Sequence, residues 1–222
     1  MYNAIIYSTD LKIVKKACNI IFNNFDNIHL LGVVGSKEEL SNMCSNSKIN
    51  MIILDFNIEI SEIQYLLQNI ENKIIFSKNP QTQKNSKYTL YLPIDETNEY
   101  LLKKLENFIS KINKRVIHKK VYEVLKNLRF DFKLLGTNYL VDAIVYSYIH
   151  KDNYQFENLK KYVYPHVSKI YNVNSHNVKY AITRSIDNMN IHSTPSEYKK
   201  HYFGFYERVT PKLLISTIVN KL

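Results

Sequence analysis

The sequence has no tryptophan, only four glycines and five prolines, and two cysteines in 222 residues. So few breakers exclude a collagen-like or linker-rich chain and imply compact structure with few elaborate loops. Cys18 and Cys44 are too few for a disulfide framework and lack metal-ligand spacing, which fits a reducing cytoplasm. No apolar run approaches the length of a membrane span and no secretory leader is visible. The expectation is a cytoplasmic protein with no membrane partner. No nucleophile elbow, glycine-rich phosphate loop or carboxylate dyad occurs, so no enzyme is expected. His150, His166, His176, His192 and His201 have no metal spacing, and none is assigned to metal or catalysis.

What is present is apolar content sufficient for real cores, 45% of residues, and a length that allows one large domain or two ordinary ones. Charge divides the chain. Residues 1–110 hold 11 Lys/Arg and 12 Asp/Glu, a net of −1, while residues 111–222 hold 19 and 8, a net of +11. A neutral half joined to a strongly basic half points to a signalling or dimerising module fused to a binder of polyanions.

In the first half, Asn3–Tyr7, His29–Val34, Met51–Leu54, Lys73–Phe76 and Tyr88–Leu92 are short apolar runs that predict five strands. Helical spacing falls between them at Leu11–Phe25, Lys37–Ser45 and Ser61–Ile70, and an amphipathic helix at Asn98–Ile112 closes the set. Lys78–Lys87 is too polar to predict a helix. Strands alternating with helices predict a doubly wound, five-stranded parallel sheet, whose functional residues belong at the carboxyl ends of the strands. Asp10, Asp55, Ser77 and Pro93 fall at or just beyond four of those ends.

The second half reads as all-helical, with six or so helices. A basic stretch at Lys111–Lys120 leads into it, by charge run a solvated connector that could also continue the preceding helix or contact phosphate backbone, and Val121–Leu128 is helical. Arg129–Lys133 is irregular, and Gly136 precedes a helix at Thr137–His150. Glu197–His201 is a short helix before a Tyr/Phe-rich turn at Gly204, and Lys212–Leu222 closes the chain as a helix. Its centre is Leu159–Asn188. Apolar or small residues at Val163, Val167, Ser168, Ile170, Val173, Val178, Ile182 and Ile186 fit two helices broken at Asn172–Asn174, a helix-turn-helix. Pro165 predicts a kink or a helix start. Ser168 allows close approach, Asn172 tolerates a left-handed backbone, and Val173 plugs the corner. Asn174 or Ser175 can cap the second helix. Its outer face carries His176, Asn177, Lys179, Tyr180, Thr183 and Arg184, types that bond phosphates and base edges or pack on a thymine methyl. Lys160, Lys161, Lys169 and Lys199 are candidates for phosphate contact, and double-stranded DNA is the expected partner.

The order of elements over residues 2–110 resembles the receiver domain of bacterial response regulators. The resemblance makes Asp55 the equivalent of the phospho-accepting aspartate and Ser77 that of the switch hydroxyl. Pro93 matches the proline after the fifth strand. It also exposes departures: the acidic pair expected after the first strand is Ser8-Thr9, with Asp10 one residue late, and the lysine before the proline is Leu92. Phosphoryl transfer needs a divalent cation and a fixed positive charge, so a degenerate receiver is expected at residues 1–112. Magnesium would enter only if Asp55 is still phosphorylated, and no other cofactor is expected. Residues 113–120 would be a linker.

Residues 121–222 resemble the effector domain of the sporulation stage-zero response regulator A family. The matching stretches are LLGTNYLVDAI at 134–144, LKKYVYPHVSKIYNV at 159–173, VKYAITRSI at 178–186 and VNKL at 219–222. That family has arginine, glutamate, arginine and arginine at the positions of Asn177, Lys179, Tyr180 and Thr183, and histidine at that of Arg184. The resemblance implies a cytoplasmic transcription regulator dimerised through the receiver, and the differing reader positions make the expectation a paralogue with its own operator or with relaxed specificity. The competing expectation is an interaction module that pairs with a related regulator and blocks it.

Overall fold

The computed structural model describes residues 1–55, 57–78, 84–153, 158–192, 197–204 and 208–222. Met1–Ile112 and Asn113–Leu222 form two compact units.

The first unit is built on strands β1 (Tyr2–Tyr7), β2 (Ile28–Val34), β3 (Met51–Leu54), β4 (Asn72–Ser77) and β5 (Thr89–Pro93). All pair in parallel, in the order β2-β1-β3-β4-β5. This is the expected doubly wound sheet. Successive side chains of a strand point to opposite faces, so a strand covered on both sides reads as an uninterrupted apolar run. Ile6, Ile53 and Phe76 pack under Ile13 and Ala17 of α1 (Leu11–Ala17) and Leu101, Leu105 and Phe108 of α4 (Asn98–Asn127). Ile5, Ile52 and Leu54 pack against Leu40 of α2 (Lys37–Asn46) and Ile63 and Leu67 of α3 (Ile60–Leu67). Helix α1 runs on into a π-turn at Cys18–Phe22. Between Ser77 and β5, residues 84–87 are not helical, as their polarity predicts; residues 79–83 of that stretch lie outside the described residues.

Residues 113–120, expected as a linker, lie within α4. No glycine or proline occurs between Asn98 and Asn127, so nothing in the basic stretch stops the helix.

The second unit comprises the end of α4 with α5 (Leu135–Ile149), α6 (Tyr164–Tyr171), α7 (Ser175–His192), α8 (Glu197–Phe203) and α9 (Pro211–Lys221). Val121, Leu125, Leu140, Ile144, Val163, Val167, Val178, Ile182, Leu214 and Ile218 form one core. Pro165 sits in the first turn of α6, where its missing N–H is not needed, behind a π-turn at Leu159–Val163. Gly136 lies inside the first turn of α5 rather than ahead of it. In the irregular stretch Arg129 is left-handed, with φ of 62°. Gly204 ends α8 at φ of 61°; the rest of the Tyr/Phe-rich turn, residues 205–207, lies outside the described residues. Among the described residues no helix is long and apolar enough to cross a membrane.

Candidate nucleic-acid interface

Helices α6 and α7 meet at the corner Asn172–Asn174. Asn172 is left-handed, with φ 51° and ψ 47°, which turns the chain sharply after α6. Its neighbour's amide closes the turn, Val173 N–H donating to the Ser168 carbonyl at 3.0 Å, and Val173 packs on the core. Asn174 caps α7: its Oδ1 accepts from His176 N–H at 2.7 Å. Ser175 takes a different role, bonding Ser168 through their hydroxyls at 3.2 Å, so the two small residues sit where the helices touch. A left-handed backbone costs a β-branched residue roughly 1–2 kcal/mol. Asn172→Val is therefore expected to lose about that much stability in urea unfolding, and Asn172→Gly to stay within about 0.5 kcal/mol of the native chain.

Val178, Ile182, Ile186 and Met189 bury one side of α7. The other side is open. His176, Asn177, Lys179, Tyr180 and Arg184 are exposed, Tyr180 by 68%. Thr183 is half-buried and donates its hydroxyl to the Lys179 carbonyl at 3.0 Å, leaving its methyl and oxygen lone pairs for a partner. Lys160, Lys161 and Lys169 are exposed on α6 and the π-turn before it, with Lys161 over the Tyr162 ring at 5.1 Å. Lys199, on α8, is half-buried. Ile170, expected to face inward, is 48% exposed; Val163, Tyr164 and Val167 face the core instead.

A tie that the sequence did not disclose fixes the corner from behind. Tyr171, the last residue of α6, donates its hydroxyl to Asp142 Oδ2 of α5 at 2.7 Å and packs on Tyr139 with ring centroids 4.6 Å apart. Burial and the bond to the Asp142 carboxylate hold the Tyr171 phenol well above its ordinary pKa. A second tie joins Thr137 of α5 to the Asp131 carbonyl at 2.7 Å and to the Ser185 hydroxyl of α7 at 3.4 Å.

At the strand ends of the first unit, Asp55 is 2% and Ser8 4% exposed. Ser8 donates its hydroxyl to Asp55 Oδ2 at 2.9 Å, and Asn57 N–H donates to Asp55 Oδ1 at 3.0 Å. Both carboxylate oxygens are thus engaged. Asp10, grouped with Asp55 on its position in sequence, uses its Oδ1 to cap α1, accepting from Lys12 N–H at 2.8 Å. Ser77 is buried at the end of β4, and Leu92 is fully buried. A lysine reaches the region from elsewhere: Lys16 of α1 donates to the carbonyls of Ile94 and Glu96. Those bonds direct its charge at backbone oxygens just beyond β5. Among the described residues no group of three His, Cys, Asp or Glu is placed to hold a metal ion.

Compared with known families, residues 121–222 match the one described as Sporulation initiation factor Spo0A C terminal. A search of curated proteins finds no match.

Proposed function

We propose that this chain, whose second half is a Spo0A C-terminal domain, is a transcription regulator that reads DNA with α7 and acts without phosphorylation of Asp55. The observation that carries the reading is the open polar face of α7, set by a left-handed corner at Asn172 on a unit rich in positive charge. In this reading α7 enters the major groove, and the first helix lies across the backbone. His176, Asn177, Lys179, Tyr180, Thr183 and Arg184 read bases, while Lys160, Lys161, Lys169 and Lys199 hold phosphates. Phosphates fix position and base edges supply sequence. The first unit dimerises the protein and positions the second, and the genes it controls belong to sporulation or stationary phase. The division of labour runs from a degenerate receiver at 1–112 to an effector at 121–222.

Asp55 offers both oxygens to hydrogen-bond donors; the acidic pair of a receiver is Ser8-Thr9 here, Ser8 bonds the carboxylate, and Asp10, one residue later, caps α1. A phosphodonor would have to displace the Ser8 hydroxyl without a cation to neutralise the developing charge. Incubated with a small phosphodonor and magnesium, the protein is expected to show no added phosphate by intact mass. An adduct that disappears in Asp55→Asn would reverse this part of the reading.

The reader side chains differ from those that the resemblance gives the sporulation stage-zero response regulator A family, its master regulator of sporulation included, which favours an operator of its own. Undiminished affinity for the master regulator's box in footprinting would defeat that expectation. The same differences favour a second reading, a module that pairs with a related regulator and does not read DNA. The excess of positive charge weighs against it.

A further inference from the structure

Three rings are stacked between α5 and α6. His166, in the first turn of α6, lies on Tyr146 of α5 with centroids 4.1 Å apart and planes 25° from parallel. His150, just past the end of α5, packs on the same Tyr146 ring at 4.1 Å and 30°. Two rings cannot occupy one face at that spacing, so Tyr146 is held between the imidazoles. His150 Nδ1 is 2.8 Å from the Tyr146 carbonyl oxygen. A carbonyl only accepts, so Nδ1 carries the hydrogen and Nε2 is left for another partner. Among the described residues no hydrogen bond engages the His166 ring. Both histidines are half-buried, unlike a core histidine satisfied on both nitrogens.

The charges around the stack are unbalanced. Burial holds His166 below its ordinary pKa, and Lys114 of α4, His150 of α5 and Lys169 of α6 oppose its protonation as well. Only Asp142 of α5 favours it, and that carboxylate is already engaged by the Tyr171 hydroxyl at 2.7 Å. Two lysines against one carboxylate leave the cluster at +1 with neutral imidazoles, and at +2 once His166 is protonated. An anion seated there would relieve the repulsion and supply acceptors for both rings. Lys160, Lys161 and Lys169, exposed on the same helix and its leading turn, place the cluster on the element that crosses the backbone when a recognition helix is docked.

We propose that His150 and His166, paired across Tyr146 beside Lys114 and Lys169, form a contact site for one DNA backbone phosphate, and that His166 takes up a proton when it binds. This rests on the reading of α6 and α7 as a DNA-binding helix-turn-helix. The sign follows from linkage. The phosphate stabilises the charged imidazole, so the pKa of His166 is higher in the complex than in the free protein, where it is lowered. A proton is absorbed on binding, and affinity rises as pH falls through the interval between the two values.

Phosphate contacts do not depend on sequence, so a labelled mixed-sequence duplex suffices as the probe, titrated with the full chain by fluorescence anisotropy. Between about pH 8 and about pH 5.5, where histidine titrates, wild-type affinity is expected to rise about tenfold more than that of His150→Gln/His166→Gln. Over the same interval the log–log salt slope of the wild type should steepen by about 0.9, the value for one more neutralised phosphate. His166→Gln alone keeps the Tyr146–His150 contact and should lose part of both effects. Identical pH profiles and slopes for wild type and double variant would overturn the phosphate site and leave the DNA reading standing. Absence of DNA binding by the wild type at every pH would overturn both.

Discussion

Gly136→Ala is expected to destabilise the C-terminal unit by about 3 kcal/mol, at the upper end of what overpacking a tight interface costs. A Cβ built on Gly136 would lie 1.9 Å from the Ala181 carbonyl oxygen, 2.4 Å from its carbon and 2.5 Å from Ser185 Oγ. The first two are backbone atoms of α7 and cannot swing aside. Helix α5 would have to back away from α7, breaking the contact between Thr137 and Ser185 and opening the core around Leu140 and Ile182. The backbone at Gly136 is not in the left-handed region, so the glycine is needed for proximity alone. Urea unfolding of the wild type and variant checks this, with helical circular dichroism as the probe. Because α7 rests on α5, DNA affinity should fall together with stability, whereas Gly204→Ala, at a site with open space around it, should lose only the cost of its positive φ.

Lys179→Ala/Arg184→Ala should act in the opposite manner. Both side chains are exposed on α7 and, among the described residues, neither has a side-chain partner, so the melting temperature should stay within about 2 °C of the wild type. Each good base contact discriminates by about 1–3 kcal/mol, so losing two should lower affinity for the protein's own operator by about thirtyfold to about twenty-five-thousandfold. Affinity for mixed-sequence DNA should fall far less, by the two lost positive charges alone. That separation between specific and non-specific binding, measured at one fixed salt concentration, distinguishes readers from phosphate contacts.

Local chemistry made much of this molecule legible in its sequence. Apolar runs such as MIIL and NAIIY had to be buried strands, because nothing in them offers a polar face, and the parallel sheet followed from their alternation with helices. The corner of the helix-turn-helix was legible because Asn172 is one of the few residues that accepts a left-handed backbone and Asn174 one of the few that caps. Where tertiary contact decides, the sequence was silent. Glycine is a poor helix former, so Gly136 looked like a boundary; only the approach of Ala181 explains its place inside α5. Lys111–Lys120 read by composition as a solvated connector that could also continue the helix before it, and α4 does run through it. Ile170 counted as apolar in the helical pattern, yet it lies about 100° around the axis from Tyr171, which faces α5. The bond from Tyr171 to Asp142 spans 29 residues and leaves no periodic trace. Around Asp55 the sequence shows Ser8-Thr9 and Leu92 at the strand ends, but not the hydrogen bond from the Ser8 hydroxyl to the carboxylate.

The most direct test is selection of genomic DNA fragments by the purified 222-residue chain at near-physiological salt, beside Lys179→Ala/Arg184→Ala. A defined motif recovered by the wild type and lost by the double variant is the predicted result, and it would establish a regulator that reads DNA through α7. Diffuse recovery with no motif, unchanged in the variant, would contradict the account and leave the pairing of this chain with a related regulator as the better explanation of its fold.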